Sequence, residues 1–415
     1  MSGGVVLELF NVLTVQQART TLADHLTVRT KETVVPLLDS LNRILARDIT
    51  ARDDVPGFDR STMDGYAVRA CDTFGASESL PAYLDVGGEV LMGQAADGTL
   101  QPGQAWLIPT GGMLPAGADA VVMVEYTEEL DQRTIGVTKP VAPGDHVVRR
   151  GEDVAAGSLV LTAGHRLRPQ DLGLLAAVGV TRVPVREPLR VGILSTGNEL
   201  IPPTQPTTPG KVRDINSYTL YGQVAEAGGL PTLYGIIEDD FQSLYQAVAR
   251  ALAANDLVLI SGGSSVGTRD ATAKVIAALG NPGVLFHGIA IKPGKPTIGA
   301  VVEGKPLFGL PGHPVSAMVV FDLLVRPLVE SAGLLRPRQK FPLRAAITRN
   351  IHSATGRDDF LRVTLRRQAD GSLLADPVMG KSGLISTMVK ADGVAHLPLT
   401  KEGVEAGELV DVWLF

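Results

Sequence analysis

Five short stretches of this 415-residue chain follow or adjoin apolar runs and carry side chains suited to metal ions and phosphates. "STGNEL" places Glu199 just past a strand-like run, "VRDINS" offers Asp214 and Asn216, and "IIEDD" sets Glu238, Asp239 and Asp240 in a row. "SGGSSVGTRD" joins the run "LVLI" to a helical pattern through Ser261, Gly262, Gly263, Ser265 and Gly267, and closes on Asp270. A strand, a Gly/Ser loop and a helix in that order can turn backbone N–H groups toward an anion. "IAIKPGKPT" adds Lys292 and Lys295 in a loop stiffened by proline. Carboxylates beside lysines and glycine-rich backbone suit Mg²⁺ and phosphate held side by side, because Mg²⁺ takes one or two carboxylates and completes its shell with water and phosphate oxygens.

Each stretch also has a purely structural reading. Glycines at strand ends make turns, and acids at the start of a helix are favoured by its dipole. "PGFDRSTMDGYAV" sets Asp59, Ser61 and Asp64 among turn formers, and "RRGEDV" reads equally as a solvated charge cluster around Asp153. In "GLPGHPVS", Pro311, Gly312 and Pro314 fix a rigid turn that could present N–H groups and Ser316 to an anion, with Pro314 suited to a first helical turn. His313 in that turn is a conceivable ligand or base, although a lone loop histidine is more often neither. The chain has no G-x-x-x-x-G-K-[ST] and no well-placed G-x-G-x-x-G, so a P-loop ATPase or a Rossmann dehydrogenase lacks its signature.

The elements that must position these residues change texture along the chain. The first fifty residues read as helical, in "TVQQARTTLADHL" and "VVPLLDSLNRILARDI". From Val55 to about Val147, short apolar runs punctuated by Gly and Pro read as β, and "RPQDLGLLAAVGV" then reads as a helix. After Pro188 strands and helices alternate: "LRVGILS", "INSYTLYGQVAEAGG", "PTLYGII", "FQSLYQAVARALAAN", "LVLI", "DATAKVIAALG", "PLFGLPG" and the long "PVSAMVVFDLLVRPLVESAG". This alternation predicts a parallel, doubly wound three-layer α/β domain, whose ligands sit at the carboxyl ends of the strands. From about Leu335 the β texture returns, with "ADGS" as a hairpin signal, and predicts a small β-barrel or sandwich.

Bulk properties bound the alternatives. Hydrophobic residues at 45% and charged ones at 20% fit globular domains with real cores, and the length predicts two to four of them. A net charge of −6 without a long basic run argues against nucleic acid as a partner. Cys71 is the single cysteine, so no internal disulfide forms and a reducing compartment is expected. The amino terminus lacks the basic region of a secretory signal. The most apolar stretch is broken by Asp322 and Arg326, too early for a membrane span. A cytoplasmic protein is the expectation.

Taken together, seven stretches resemble the molybdopterin molybdenumtransferase family, which includes the E domain of gephyrin. They are "PGFDRSTMDGYAV", "TGGMLPAGADAVVMVE", "RRGEDV", "STGNEL", "SGGSSVGTRD", "IKPGKPT" and "GLPGHPVSA", in the family's order from Pro56 to Ala317. The resemblance implies four domains: a helical linking domain (1–54 and 146–187), an inserted β domain (55–145), an α/β molybdopterin-binding domain (188–333) and a C-terminal β-barrel-like domain (334–415). It implies a homodimer whose cleft takes residues from both subunits. The implied reaction uses adenylylated molybdopterin and molybdate, cleaves off the adenylyl group with the help of Mg²⁺, and leaves molybdenum on the dithiolene with AMP released.

By the same resemblance, Asp64, Asp153, Glu199, Asp239 and Asp270 match catalytic acids, with Glu199, Asp239 and Asp270 as the metal set. Thr110 matches a functional threonine, and Lys292, Lys295, Ser316, Arg357 and Ser382 match binders of molybdate or the pterin phosphate. Pro311 and Pro314 match prolines that shape the cleft. A molybdopterin adenylyltransferase upstream and molybdoenzyme chaperones downstream are the implied handover partners, with neither nucleic acid nor membrane. Three positions depart from the family pattern: His313 stands at a usual Asn, Ser264 at a usual Val, and Gly288 where some relatives carry a basic residue. Two other readings of the same fold stay open, an adenylyltransferase of molybdopterin and a non-catalytic scaffold.

Overall fold

The computed structural model describes residues 12–26, 30–262, 266–332 and 341–415, with residues 266–270 described in backbone only. The chain forms two compact units. The larger comprises residues 1–33, 42–44 and 186–415; the smaller comprises residues 34–41 and 45–185.

In the larger unit, α1 (Val15–Ala23) starts at a reciprocal cap in which the Thr14 hydroxyl accepts the Gln17 N–H and the Gln17 side chain accepts the Thr14 N–H. The chain then alternates as its periodicity predicts. β1 (Arg190–Thr196), α2 (Asn216–Glu226), β2 (Leu230–Ile237), α3 (Phe241–Ala254), β3 (Leu257–Gly262) and α4 (Val266–Leu279) follow in order. β4 (Pro282–His287), the two-residue β5 (Ile291–Lys292), β6 (Ile298–Val302) and β7 (Lys305–Leu310) lead into α5 (Pro314–Val320). The sheet runs β2-β1-β3-β7-β6-β4. Its first four strands are parallel; at one edge β6 pairs antiparallel with β7, and β4 pairs antiparallel with β6. The wholly parallel sheet expected from sequence is thus extended by a hairpin, since β6 and β7 are joined by only the short "EG" turn and no helix can cross over there.

Successive strand residues face opposite sides, and each side is covered. Val191, Ile193, Leu257, Leu259 and Phe308 pack with Leu22 of α1, Leu220 and Val224 of α2, and the helix after β7. Leu194, Val258, Ile260 and Leu307 pack with Leu244 and Val248 of α3 and Val275 and Ile276 of α4. This is the three-layer arrangement of a doubly wound domain. The helix that begins as α5 passes through a π-helical turn (Phe321–Val325) into α6 (Arg326–Glu330). Pro327 has no N–H for the carbonyl of Leu323, and Arg19 of α1 takes that carbonyl instead, through Nε at 2.9 Å and Nη2 at 2.7 Å.

The carboxyl-terminal part is a barrel. β8 (Leu343–Ile347), β9 (Asp358–Arg367), β10 (Leu373–Pro377), β11 (Gly393–Leu397) and β12 (Leu409–Leu414) pair in the order β9-β10-β8-β12-β11, and β9 also pairs β11 to close it. The expected "ADGS" hairpin joins β9 to β10. Ala345, Ile347, Val363, Ala375, Ala395, Leu397 and Val412 fill the interior. β5 pairs in parallel with the start of β9, Lys292 opposite Asp359.

The smaller unit is built on a six-stranded sheet of short strands, ordered Ala120–Met123, Gly65–Val68, Gln104–Ile108, Ala82–Glu89, Thr134–Val137 and Thr127–Glu129. The expected helix Pro169–Ala177 buries Leu175 in a cluster with Leu45, Leu167 and Val183. The helix expected over "VVPLLDSLNRILARDI" does not form. Glu32–Pro36 is a strand, Leu37–Ser40 a single 3-10 turn and Ile49–Thr50 a short strand. The β-branched pair Val34–Val35 before Pro36 favours extended backbone, and Asn42 at φ 63° ends any helical continuation. Among the described residues, no helix is long and apolar enough to cross a membrane.

Candidate active site

The carboxyl ends of the parallel strands meet at one rim. Thr196 lies opposite Ile237 of β2 and Gly262 of β3, and Ser261 lies opposite Leu310 of β7. The loops that follow therefore leave from neighbouring points, and those loops carry the acids and the proline turn singled out in the sequence. Gly262 has φ 144°, and a Cβ there would fall 2.0 Å from the Thr196 carbonyl oxygen. Only glycine lets the two strand ends approach so closely.

Two acids are fixed at this rim. The Thr196 hydroxyl donates a short hydrogen bond to Asp239. The Glu199 carboxylate folds back toward its own strand end, so close that a Cβ on Gly197 would lie 2.7 Å from Glu199 Oε2. Asp240 has a different task. Its carboxylate accepts the Ser243 N–H at 2.9 Å and caps α3, and the hydrogen bonds from Ser243 hold its carboxyl below the usual range.

Asp214, Asn216 and Ser261 are buried, and each makes internal hydrogen bonds. Asp214 accepts the Ser195 hydroxyl at 3.0 Å and the Ser217 N–H at 3.1 Å. Asn216 donates to the Ser261 hydroxyl at 2.6 Å and to the Gly312 carbonyl at 2.9 Å, tying the end of β3 to the proline turn. Asn216 Oδ1 is buried without a partner. Gly267 and Asp270 fall within α4, but the Asp270 side chain, like Gly263 and Ser265 altogether, lies outside the described residues. Among the described residues, no three His, Cys, Asp or Glu side chains cluster closely enough to form a metal site on their own.

Next to the rim, a cavity of about 340 Å³ gathers residues from three separate segments. The end of β5 and the loop after it supply Lys292 and Lys295, and the turn after β7 with the start of α5 supplies Pro311, His313 and Ser316. The barrel supplies Arg357 and Ser382. Pro314, which opens α5, is buried behind this turn. His313 Nδ1 lies 2.8 Å from the Ser382 hydroxyl, and the Ser382 carbonyl accepts the Val315 N–H at 3.2 Å. Three cationic side chains and two hydroxyls around a small, proline-walled space suit a compact oxyanion. Sequence reasoning missed Asp359, which is 6% exposed and sits between Lys292 (3.4 Å) and Arg357 (3.2 Å). The signal lay in "GRDDF", where a strand's alternation puts Asp359 on the same side as Arg357.

In the smaller unit, the three amino-terminal motifs come together. Asp64 Oδ1 accepts the Thr110 N–H at 2.7 Å, and the Thr110 backbone and side-chain hydrogen bonds hold the Asp64 carboxyl below its usual range. The Ser61 carbonyl accepts the Gly111 N–H, and Arg60–Ser61 pairs with Val147–Val148. In the loop that carries Asp153, the Arg150 N–H bonds Asp59 at 2.7 Å and its guanidinium bonds Asp54 at 2.7 Å, while the Asp153 N–H bonds the Val55 carbonyl. Asp64, Thr110 and Asp153 thus stand on neighbouring loops.

An α/β domain with acids at its strand ends and a basic pocket where it meets a β-barrel suits the handling of phosphates and oxyanions. Comparison with known families is specific. Residues 13–179 match the MoeA N-terminal region (domain I and II), residues 192–331 the family described as "probable molybdopterin binding domain", and residues 344–415 the MoeA C-terminal region (domain IV). The molybdopterin molybdenumtransferase of Bacillus subtilis is 38% identical over 92% of this chain and 89% of its own length. That of Haemophilus influenzae is 37% identical over 97% and 98%. The crystal structure of a molybdopterin biosynthesis MoeA protein from Pyrococcus horikoshii superposes with a TM-score of 0.83 at 34% identity, covering 98% of this chain and all of that one. The chain belongs to the molybdopterin molybdenumtransferase family.

Proposed function

We propose that this chain is a molybdopterin molybdenumtransferase that joins molybdate to adenylylated molybdopterin and releases AMP. The observation that carries the reading is the convergence of Lys292, Lys295, Arg357, Ser316 and Ser382 on one cavity beside the strand-end acids. Molybdate is a dianion, so cationic and hydroxyl donors in a confined space supply both charge and shape. Lys292 and Arg357 neutralise the oxyanion, Ser316 and Ser382 bond its oxygens, and Pro311 and Pro314 hold the turn rigid around it.

Glu199 and Asp239 are hard oxygen donors at adjacent strand ends, a set that fits Mg²⁺ with water and phosphate oxygens completing its shell. Asp270 is the third member of that set by family resemblance. Bound there, Mg²⁺ would neutralise charge on the phosphoanhydride, a reaction that asks for little covalent help from protein. Thr196 keeps the Asp239 carboxylate turned to the rim. Asp214, Asn216 and Ser261 shape the strand-end wall on which the pterin phosphate rests, with Gly262, Gly263, Ser265 and Gly267 joining it by family resemblance.

The homodimer, the catalytic roles of Asp64, Asp153 and Thr110, and a cytoplasmic setting belong to the same proposal, as do handovers from an adenylyltransferase and to molybdoenzyme chaperones. The test is AMP release from adenylylated molybdopterin by purified protein. Asp239→Asn and Asp270→Asn should each lower the rate at least a hundredfold, roughly the loss seen when a positioned electrostatic group is removed. Undiminished turnover in either variant would remove that acid from the mechanism. ATP consumption with metal-free molybdopterin would instead indicate the adenylylating step.

A further inference from the structure

A pocket for a dianion has no evident use for a nearby acid, yet Asp359 stands behind two of the cations that line it. It is 6% exposed, and each of its oxygens meets a cation that lines the cavity. Oδ2 lies 3.4 Å from Lys292 Nζ and also accepts the Ser353 hydroxyl at 2.8 Å. Oδ1 lies 3.2 Å from Arg357 Nε. Neither that Nε nor Oδ1 makes a hydrogen bond, so the second contact is one of charge, with the N–H aimed elsewhere. The placement is set by backbone: β5 ends at Lys292, and its register with β9 puts Lys292 opposite Asp359, two residues after Arg357.

We infer that Asp359 is a positioning residue for oxyanion binding, holding Lys292 and Arg357 in one orientation before the anion arrives. This rests on reading the cavity as the oxyanion site. Lys and Arg carry the most side-chain entropy of any residues, and immobilising one on binding lowers affinity severalfold. A shared buried carboxylate fixes both beforehand. By electrostatics alone the acid should hinder a dianion, so the two views differ in sign. Lys295, on the same loop, has no acidic partner among the described residues and is the internal comparison.

The experiment is equilibrium dialysis of the full-length protein against molybdate, with thermal melting run alongside. Asp359→Asn should weaken molybdate binding about tenfold, the loss expected for two released side chains. KM for molybdate should rise by more than kcat falls. In a double-mutant cycle, Lys292→Ala should cost less in the Asp359→Asn background than in wild type, whereas Lys295→Ala should cost the same in both. Ser353→Ala, a milder change that loosens the acid without removing it, should weaken binding twofold to threefold and keeps the test open if Asp359→Asn does not fold. Unchanged or tighter binding in these variants, beside normal binding by wild type, would overturn the inference. Wild-type protein that binds no molybdate would overturn the oxyanion reading of the cavity, and this inference with it.

Discussion

Lys292 and Arg357 come from segments far apart in sequence, and each gives one charged donor to a space of about 340 Å³. A hydrogen bond to a charged group is worth roughly 1.5–3 kcal/mol in such a setting. Lys292→Ala and Arg357→Ala should therefore each weaken molybdate binding by tenfold or more, read by the same dialysis, and the loss should shrink as salt is raised. Thr196→Val tests the acids from the other side. It removes the hydroxyl that bonds Asp239 and should lower the rate of AMP release about tenfold while leaving molybdate affinity intact. The residue types at these positions were legible in the sequence, in the lysines of "IKPGKPT" and the acids after apolar runs, although the acids read equally well as helix caps, as Asp240 proves to be. Their company was not. Nothing local joins Asp359 to Lys292, since that pair exists only once β5 finds its register on β9. Asp214 and Asn216 carried the opposite lesson: chemistry-bearing types in a strand-end loop turned out to be spent on internal bonds that hold the rim together.

Among the elements, the alternation of strands and helices after Pro188 was plain because each strand is a continuous apolar run and each helix has a 3.6-residue stripe. The antiparallel edge of β4 and β6 was not, as Pro- and Gly-rich segments mask their period. Between residues 34 and 49, a helical spacing of apolar residues yielded to Val34–Val35–Pro36 and to a left-handed Asn42. Gly262→Ala should show how tightly the strand ends are held. With a Cβ directed at the Thr196 carbonyl, it should destabilise the larger unit by about 3 kcal/mol, measured as a lower urea midpoint.

The helix Pro169–Ala177 offers a pH test. Burial pushes the Asp171 carboxyl up, but hydrogen bonds from Arg168 and His165 outweigh it and bring it down to about 2. A carboxyl depressed in the folded state stabilises at neutral pH and loses that contribution as pH falls from about 4 toward 2. Asp171→Asn should lower stability at pH 7 by on the order of 1–2 kcal/mol and flatten the acid limb over that interval, both visible in thermal melts.

For the whole molecule, family membership sets the account, and the proposed homodimer makes a distinct claim. Sedimentation velocity should find a species of twice the chain's mass. Because Asp64 and Asp239 belong to different units, mixing and refolding two inactive variants, Asp64→Ala and Asp239→Asn, should regain part of the activity if a site draws on both subunits. Activity that stays absent would confine each site to one chain. The order of seven motifs made the family legible from sequence alone. How "DRSTMDG", "PTGG" and "RRGED" meet was not legible, because that depends on pairings across some ninety residues, such as Arg60–Ser61 with Val147–Val148. The central claim is that molybdate uptake and loss of the adenylyl group occur at one site of this protein. Counting AMP released from adenylylated molybdopterin, with molybdate present and absent, tests it most directly. The account predicts release that requires molybdate and Mg²⁺, one AMP for each molybdenum retained on the pterin; release that is absent, or indifferent to molybdate, would contradict it.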